Sequence, residues 1–341
     1  MKWDDQFPAS GGAPLEDEQL FLPDAFPDVP APAPARAPTR APSRAPARTP
    51  VPPIATPVPG PATPPPPGAE VDDAVLAEIE WTAPAVLPTG RILAVVNQKG
   101  GVGKTTSTIN LGAALAEEGA RVLLVDFDPQ GALSVGLGLN PNGLEVTVYN
   151  LLLDATVTFD EVVAPSRIAG LDIIPANIDL AGAEVMLVSE VAREQSLRRG
   201  LAPVRDRYNY ILIDCPPSLG LLTVNALTAA DAVLIPLECE YFALRGMALL
   251  MDTIRKIQER INPQLQIEGI LATMLDGRTL HGREVLSRVT DAFGDKLFKT
   301  IIHKTIKFAE APVVGEPIVR YAPKSGGAKE YRDLAREVMS K

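Results

Sequence analysis

The feature that most constrains the fold is a glycine-rich loop, KGGVGKTT, at residues 99–106. It follows the apolar run ILAVVN (92–97) and leads into TSTINLGAALAEEG (106–119), which has helical spacing and ends at Gly119, a natural helix stop. A strand, such a loop and a helix in this order bind phosphate. The reason is that backbone N–H groups turn inward around an anion and the helix N-terminus adds partial positive charge.

The residues of this loop have separable predicted roles. Lys104 can reach the β- and γ-phosphates of a nucleotide, and the Thr105 hydroxyl can bind Mg²⁺. The common template has a glycine five residues before Gly103, but this chain has Gln98 there and a second lysine, Lys99, at the start of the loop. The predicted nucleotide-binding residues are Lys99, Gly100, Gly101, Val102, Gly103, Lys104, Thr105 and Thr106.

The chain beyond this loop alternates buried strands with helices. RVLLVD (121–126) is followed by LDIIP, YILID, AVLIPL and IEGILATML, with helical stretches between them such as residues 243–261. Continuous apolar strands separated by helices are typical of a mostly parallel sheet covered on both faces. We therefore predict one α/β domain of the P-loop NTPase-like class over residues 89–341.

Three aspartates end apolar strands of this predicted sheet. Asp126 closes the run RVLLVD and Asp128 follows two residues later, a spacing that places both on one face of an extended segment. Asp214 ends YILI, and prolines stop the strand after it. Parallel sheets bind ligands at the carboxyl ends of their strands, so these carboxylates are candidates for the nucleotide site.

Residues 1–88 have a different composition and are predicted to be disordered. Most of the chain's 34 prolines lie here, and dense proline opposes both helices and sheets. Four arginines recur every fourth residue from Arg36 to Arg48, between acidic stretches. This composition fits a solvated linker, and it also fits a docking tail for a partner or an acidic surface.

Composition excludes several classes of protein. Two cysteines without partner spacing, Cys215 and Cys239, suggest neither a disulfide framework nor a zinc site, and fit a reducing cytoplasm. The N-terminus lacks a secretory pattern, and no apolar run is long enough to predict a membrane span. A net charge of −10 argues against a protein that coats nucleic acid with its whole surface.

KGGVGKTT resembles the deviant phosphate loop of the ParA/MinD family of ATPases. VLLVDFDPQG (122–131) and YILIDCPPSLG (210–220) resemble that family's second and third motifs. ECEYFALRG (238–246), TMLDGRT (273–279) and FAEAP (308–312) are similar to its ParA/Soj partition branch. The resemblance covers residues 91–341 and leaves out the proline-rich tail.

The resemblance implies a partition ATPase that uses ATP and Mg²⁺. It implies that Asp128 positions or activates the attacking water and that Asp126 lies nearer the Mg²⁺, which Asp214 organises through water. The metal set is thus Thr105, Asp126 and Asp214, and the catalytic set is Lys99, Lys104 and Asp128. In the family the first lysine of the loop reaches the partner's phosphates across an ATP dimer.

The expected partners are a second copy, non-specific DNA on the nucleoid and a ParB-like centromere-binding protein, with no membrane. A basic C-terminal third, with 13 Lys or Arg against 8 Asp or Glu from residue 278, suggests DNA contacts at Arg283, Lys304 and Lys307. Glu316 stands where many relatives carry lysine, which weakens that inference.

Two alternatives stay open. One is a MinD-like or cargo-positioning ATPase that acts on a membrane or protein cluster, although the mixed charge of the C-terminal helix favours packing on its own domain. The other is a nucleotide-dependent scaffold that hydrolyses little. An iron–sulfur reductase is disfavoured, since Cys215 and Cys239 do not resemble its cluster ligands.

Overall fold

The computed structural model describes residues 87–239, 243–276 and 280–341, with backbone only at 243–245 and 280–283. The tail predicted to be disordered therefore lies outside the described residues, apart from its last two. Those two contact the domain: Leu87 packs against a core cluster, and the Pro88 carbonyl accepts a hydrogen bond from Asn209 Nδ2 at 2.9 Å. A deletion that spares the domain should therefore stop at residue 86.

In the described residues, seven strands form one sheet. They are β1 (Arg91–Val95), β2 (Val122–Asp126), β3 (Ala164–Pro165), β4 (Leu171–Ile174), β5 (Tyr210–Asp214), β6 (Ala232–Glu238) and β7 (Gln266–Thr273). Their order is β3-β4-β2-β5-β1-β6-β7, and every neighbouring pair is parallel except β3 with β4. The predicted mostly parallel sheet is confirmed, with one short antiparallel edge strand that the sequence pattern did not predict.

Helices fill the connections between the strands. They are α1 (Lys104–Glu117), α2 (Ala132–Gly136), α3 (Val148–Leu153), α4 (Phe159–Val162), α5 (Leu180–Met186), α6 (Ser196–Leu201), α7 (Leu221–Ala229), α8 (Ala243–Arg260), α9 (Leu280–Phe293), α10 (Lys307–Glu310), α11 (Ile318–Tyr321) and α12 (Gly326–Met339). The helix predicted after the phosphate loop corresponds to α1, and the helix predicted at residues 243–261 corresponds to α8.

The sheet is covered on both faces, as predicted. Side chains of β1 alternate between two core clusters: Ala94 lies in one, with α3 to α9, and Leu93 and Val95 lie in the other, with α1, α2, α11 and α12. Both faces of a parallel strand thus lie in apolar surroundings, which explains why the strands are continuous apolar runs.

The C-terminal helix packs on its own domain. Tyr331, Leu334 and Val338 of α12 are buried against the α1 side of the sheet, as the sequence predicted. Arg332 pairs with Glu117 at the C-terminal end of α1, at 2.7 Å. None of the helices in the described residues is long and apolar enough to cross a membrane.

Candidate functional site

The phosphate loop is shaped by two left-handed glycines. Gly101 has φ +79° and Gly103 has φ +87°, a region that residues with a Cβ rarely adopt. Between them Val102 is buried, and its carbonyl accepts a hydrogen bond from Thr273 Oγ1 at 2.9 Å. The loop is thereby fixed to the end of β7 just before α1 begins at Lys104.

Lys104 lies inside this loop. Its side chain is almost fully buried, and Nζ lies 3.2 Å from the carbonyl oxygen of Lys99. Burial lowers the pKa of Lys104, an effect opposed by the nearby charges of Asp214 and Asp128. A cation desolvated in this way interacts strongly with a phosphate that enters the loop.

Beneath the loop, two buried carboxylates lie side by side. Asp126 and Asp214 end β2 and β5 and are register partners in the sheet. Burial, with a smaller contribution from the charge of Asp126, raises the pKa of Asp214 to about 8. Thr105 Oγ1 donates to Asp214 Oδ2 at 2.7 Å, and the Thr108 hydroxyl lies 3.4 Å from the other oxygen.

Asp126 is held by Ser134 of α2. The Ser134 backbone N–H and hydroxyl donate to Asp126 Oδ2 at 2.8 and 2.7 Å. Ser134 Oγ in turn accepts from the Ala176 N–H at 3.2 Å. Burial raises the pKa of Asp126 to about 6, and the hydrogen bonds from Ser134 oppose that rise.

Asp128 lies in the turn that follows β2. It is partly exposed, its N–H donates to Asp126 Oδ1 at 3.3 Å, and its own Oδ1 accepts from the Gln130 N–H at 2.9 Å. Its negative charge acts to raise the pKa of both Lys104 and Asp214, so it lies near these two groups.

These donors fit magnesium. Mg²⁺ prefers oxygen ligands and usually binds through one or two carboxylates together with phosphates and water. The Thr105 hydroxyl and the Asp214 carboxylate supply such oxygens, and Asp126 adds a buried negative charge beside them. The described residues contain no cluster of three or more His, Cys, Asp or Glu suited to a metal. A cation here would therefore be completed by the nucleotide and water.

Lys99, at the start of the loop, is fixed by contacts that sequence reasoning missed. Its Nζ lies 2.8 Å from Glu238 Oε2 at the end of β6. Its N–H donates to Asn97 Oδ1 at 3.0 Å, while Asn97 Nδ2 donates to the Pro236 carbonyl at 2.7 Å. Glu238 opens one of the motifs that resemble the partition branch, so its position was visible in the sequence, although its partner was not.

A cleft of about 220 Å³ opens beside the first turn of α1. It is lined by Thr105, Thr106, Ile109, Asn110, Ala132, Gly136, Phe308, Ala311, Pro312, Glu316 and Pro317. These residues come from three distant parts of the chain. Phe308, Ala311 and Pro312 belong to the FAEAP motif noted in the sequence, but only the two threonines of the loop were predicted to bind nucleotide.

The three predicted DNA contacts lie in the chain beyond β7. Arg283 belongs to α9, and its side chain is outside the described part of the chain. Lys304 is exposed, whereas Lys307 lies 5.9 Å from the centre of the Tyr321 ring. Other basic residues of this third serve the fold, among them Lys341, whose Nζ donates to the Glu268 carbonyl at 2.7 Å.

Comparison with known proteins agrees with this geometry. Residues 90–267 match the family profile described as an AAA domain. The chain is 53% identical to the chromosome-partitioning ATPase Soj of Treponema pallidum over 74% of its own length and 98% of the relative. It is 47% identical to the chromosome partitioning protein ParA of Caulobacter vibrioides, over 74% and 94%.

A solved structure of similar fold has been determined with nucleotide and metal. It is cobyrinic acid a,c-diamide synthase from Mycobacterium smegmatis with bound ADP and magnesium. It shares 44% identity with this chain, has a TM-score of 0.64, and aligns with 72% of this chain and 92% of its own.

Proposed function

The chain belongs to the ParA/Soj family of chromosome-partitioning ATPases, and on that basis we propose that it segregates DNA as an ATP-dependent homodimer. It is an ATPase whose cofactors are ATP and Mg²⁺. The observation that supports the catalytic assignment is the buried pair Asp126 and Asp214 directly beneath a lysine-containing phosphate loop. The solved relative is named for the synthesis of a diamide and is 44% identical to this chain. Partition is favoured because Soj and ParA, which carry the partition name, have the higher identities of 53% and 47%.

We assign the triphosphate to the loop, with Lys104 next to the β- and γ-phosphates. The loop residues Lys99, Gly100, Gly101, Val102, Gly103, Lys104, Thr105 and Thr106 surround the phosphates in this assignment. Mg²⁺ would be held by Thr105 and Asp214, with Asp126 adding negative charge, and would neutralise charge on the phosphates. We assign to Asp128, whose charge acts on Lys104, the role of orienting a water molecule toward the γ-phosphate.

The nucleoside is assigned to the cleft beside α1. When the phosphates of a nucleotide occupy the loop, the nucleoside extends past Thr106, which lines that cleft. Phe308 and Pro312 offer apolar surface for a base, and Glu316 offers a polar group. Pro312→Arg should weaken ATP binding measured by calorimetry while Lys324→Arg, a change on the exposed surface, leaves it unchanged. Equal affinity in both variants would move the base elsewhere.

We propose that the dimer interface includes the exposed side of the phosphate loop, at Gly100 and Gly101. Gly100 is exposed, and within the part of the chain that the structure describes a Cβ built on either Gly100 or Gly101 meets no atom within 4 Å. The protein's own chain therefore does not require small residues at these two positions for packing reasons. The left-handed φ of Gly101 already favours glycine, so close approach of a second backbone is the proposed reason for glycine at Gly100. Lys99 then lies at the entrance, where it can supply positive charge to the partner's phosphates.

DNA binding by the dimer is proposed to be non-specific and to place the protein on the nucleoid. Contacts to phosphates alone bind all sequences and depend steeply on salt, with a slope of about −0.9 per neutralised phosphate. If Arg283, Lys304 and Lys307 contribute to about four such contacts, log K should fall against log salt with a slope of about −3.6.

The test is a salt series of DNA binding in ATP. Arg283→Glu should lower both the affinity and the slope without affecting ATP binding. Arg207→Glu is the matched control, since Arg207 is an exposed arginine paired with Asp160 near the opposite, amino end of β5. Equal loss in both variants would mean that overall charge, not this surface, sets the affinity.

A ParB-like partner is proposed to accelerate hydrolysis. Turnover with DNA and such a partner together should exceed turnover with either one alone. A protein that stays slow under all conditions would instead act as a nucleotide-dependent scaffold. The MinD-like alternative is disfavoured by α12, whose apolar residues Tyr331, Leu334 and Val338 already lie inside the domain.

A further inference from the structure

The ion pair between Lys99 and Glu238 suggests how the first lysine of the loop is controlled. We propose that Glu238 is a positioning residue that holds the Lys99 ammonium on its own subunit until an ATP-bound second copy takes it over. This inference rests on the proposed ATP dimer, in which Lys99 acts on the partner's phosphates. It assigns to Glu238 the contact that dimerisation must break.

The geometry makes this pair part of a fixed frame. Glu238 is the last residue of β6, and Asn97 connects that strand's end to the loop through the Pro236 carbonyl. Asn97 also accepts from the Lys99 N–H. The backbone of Lys99 is therefore anchored, and its ammonium lies 2.8 Å from Glu238, a contact that must break if Lys99 is to reach a target outside its own subunit.

The solvent exposure of the pair limits its strength. The side chains of Lys99 and Glu238 are 40% and 19% exposed, so solvent screens the attraction. Pairs of this kind shift an equilibrium by about 1.4- to 5-fold. A symmetric dimer breaks two of them, so removing the carboxylate charge should tighten dimerisation by about 2- to 30-fold.

The first experiment uses the full-length protein without nucleotide, where no dimer is required. An acetylating reagent modifies lysine amines, and mass spectrometry gives the rate at each lysine. Glu238→Gln should speed modification of Lys99 by about 1.4- to 5-fold. Glu118→Gln is the matched control, since it removes a comparable partly exposed pair, with Arg336, away from the loop. Its Lys99 rate should equal that of the wild type.

The second experiment measures dimerisation in ATP by light scattering, with Asp128→Ala as the common background to prevent hydrolysis. Adding Glu238→Gln should lower the dimer dissociation constant, and adding Glu118→Gln should not. ADP affinity of the monomer is measured as well. It should be unchanged, because Glu238 is assigned a contact with Lys99 and none with the nucleotide.

The outcomes separate the two proposals. An unchanged Lys99 modification rate in Glu238→Gln overturns the role of Glu238 whether or not a dimer forms. Faster modification with weaker dimerisation, or with reduced ADP affinity, also overturns it, since Glu238 would then support the loop itself. If the protein stays monomeric in ATP in every variant and in the wild type, the proposed dimer is contradicted. The proposed release of Lys99 from Glu238 on dimerisation is then contradicted as well.

Discussion

Gly100→Val separates the nucleotide site from the proposed dimer. Gly100 is exposed and has an ordinary backbone conformation, and a Cβ placed on it would meet no atom of the described residues within 4 Å. The isopropyl group therefore has room in the monomer. We expect the variant to fold and to bind ATP like the wild type, with an unfolding free energy within about 0.5 kcal/mol of it, as for ordinary surface substitutions.

The magnitude in the dimer follows from crowding. Forcing extra methyl groups into a closely packed interface costs about 1–3 kcal/mol at each site. A two-fold dimer contains the substitution twice, so the cost is about 2–6 kcal/mol. At about 1.4 kcal/mol per tenfold, the dissociation constant should rise by about 30-fold or more.

The assay is light scattering of the Asp128→Ala protein with ATP, with and without the added Gly100→Val substitution. Gly326→Val is the matched control, because Gly326 is exposed, has an ordinary φ, and meets only Glu330 Oε1 at 3.9 Å. The reasoning is refuted if Gly100→Val dimerises as tightly as the control. It also fails if the variant loses ATP binding as a monomer.

Other substitutions test the remaining parts of the account. Ser134→Ala removes a hydrogen bond to the buried Asp126 carboxylate and leaves the Ala176 N–H unpaired. It should lower the unfolding free energy in urea by about 2–5 kcal/mol, and an unchanged midpoint would contradict this. Asp128→Ala should bind ATP and dimerise without turnover, so wild-type turnover would remove Asp128 from the catalytic set. Lys104→Ala should lose calorimetric ATP binding. Deleting residues 1–86 should leave ATPase turnover unchanged, and a large loss would mean that the tail supports the domain.

Much of the fold could be predicted because its signals are local. The parallel strands are mainly apolar, as Val122–Asp126 and Tyr210–Asp214 show, since both faces of the sheet are covered. The phosphate loop was predictable because positive φ at Gly101 and Gly103 is a backbone requirement that only glycine meets easily. The strand Ala164–Pro165 was missed because two residues cannot show a period.

Part of the site could not be predicted, because the pairings are tertiary. Ser134 lies eight residues beyond Asp126 in a short helix, and no spacing rule connects a serine there to a strand-end carboxylate. Glu238 is 139 residues from Lys99 and reaches it only because β6 lies next to β1. The count of basic residues made from the sequence must also be lowered. The basic count of the C-terminal third overstates the charge available to DNA, because Arg332 and Arg336 pair with Glu117 and Glu118.

The central claim is that Lys99 acts in trans across an ATP dimer, and mixing two inactive variants tests it most directly. In a mixed dimer of Lys99→Ala with Asp128→Ala, one site combines an intact Asp128 with the other subunit's intact Lys99. Half of the dimers in an equal mixture are mixed and each has one such site, so turnover should recover to about one quarter of the wild-type value. If Lys99 acts within its own subunit, every site lacks one of the two groups, and the mixture stays as inactive as its components.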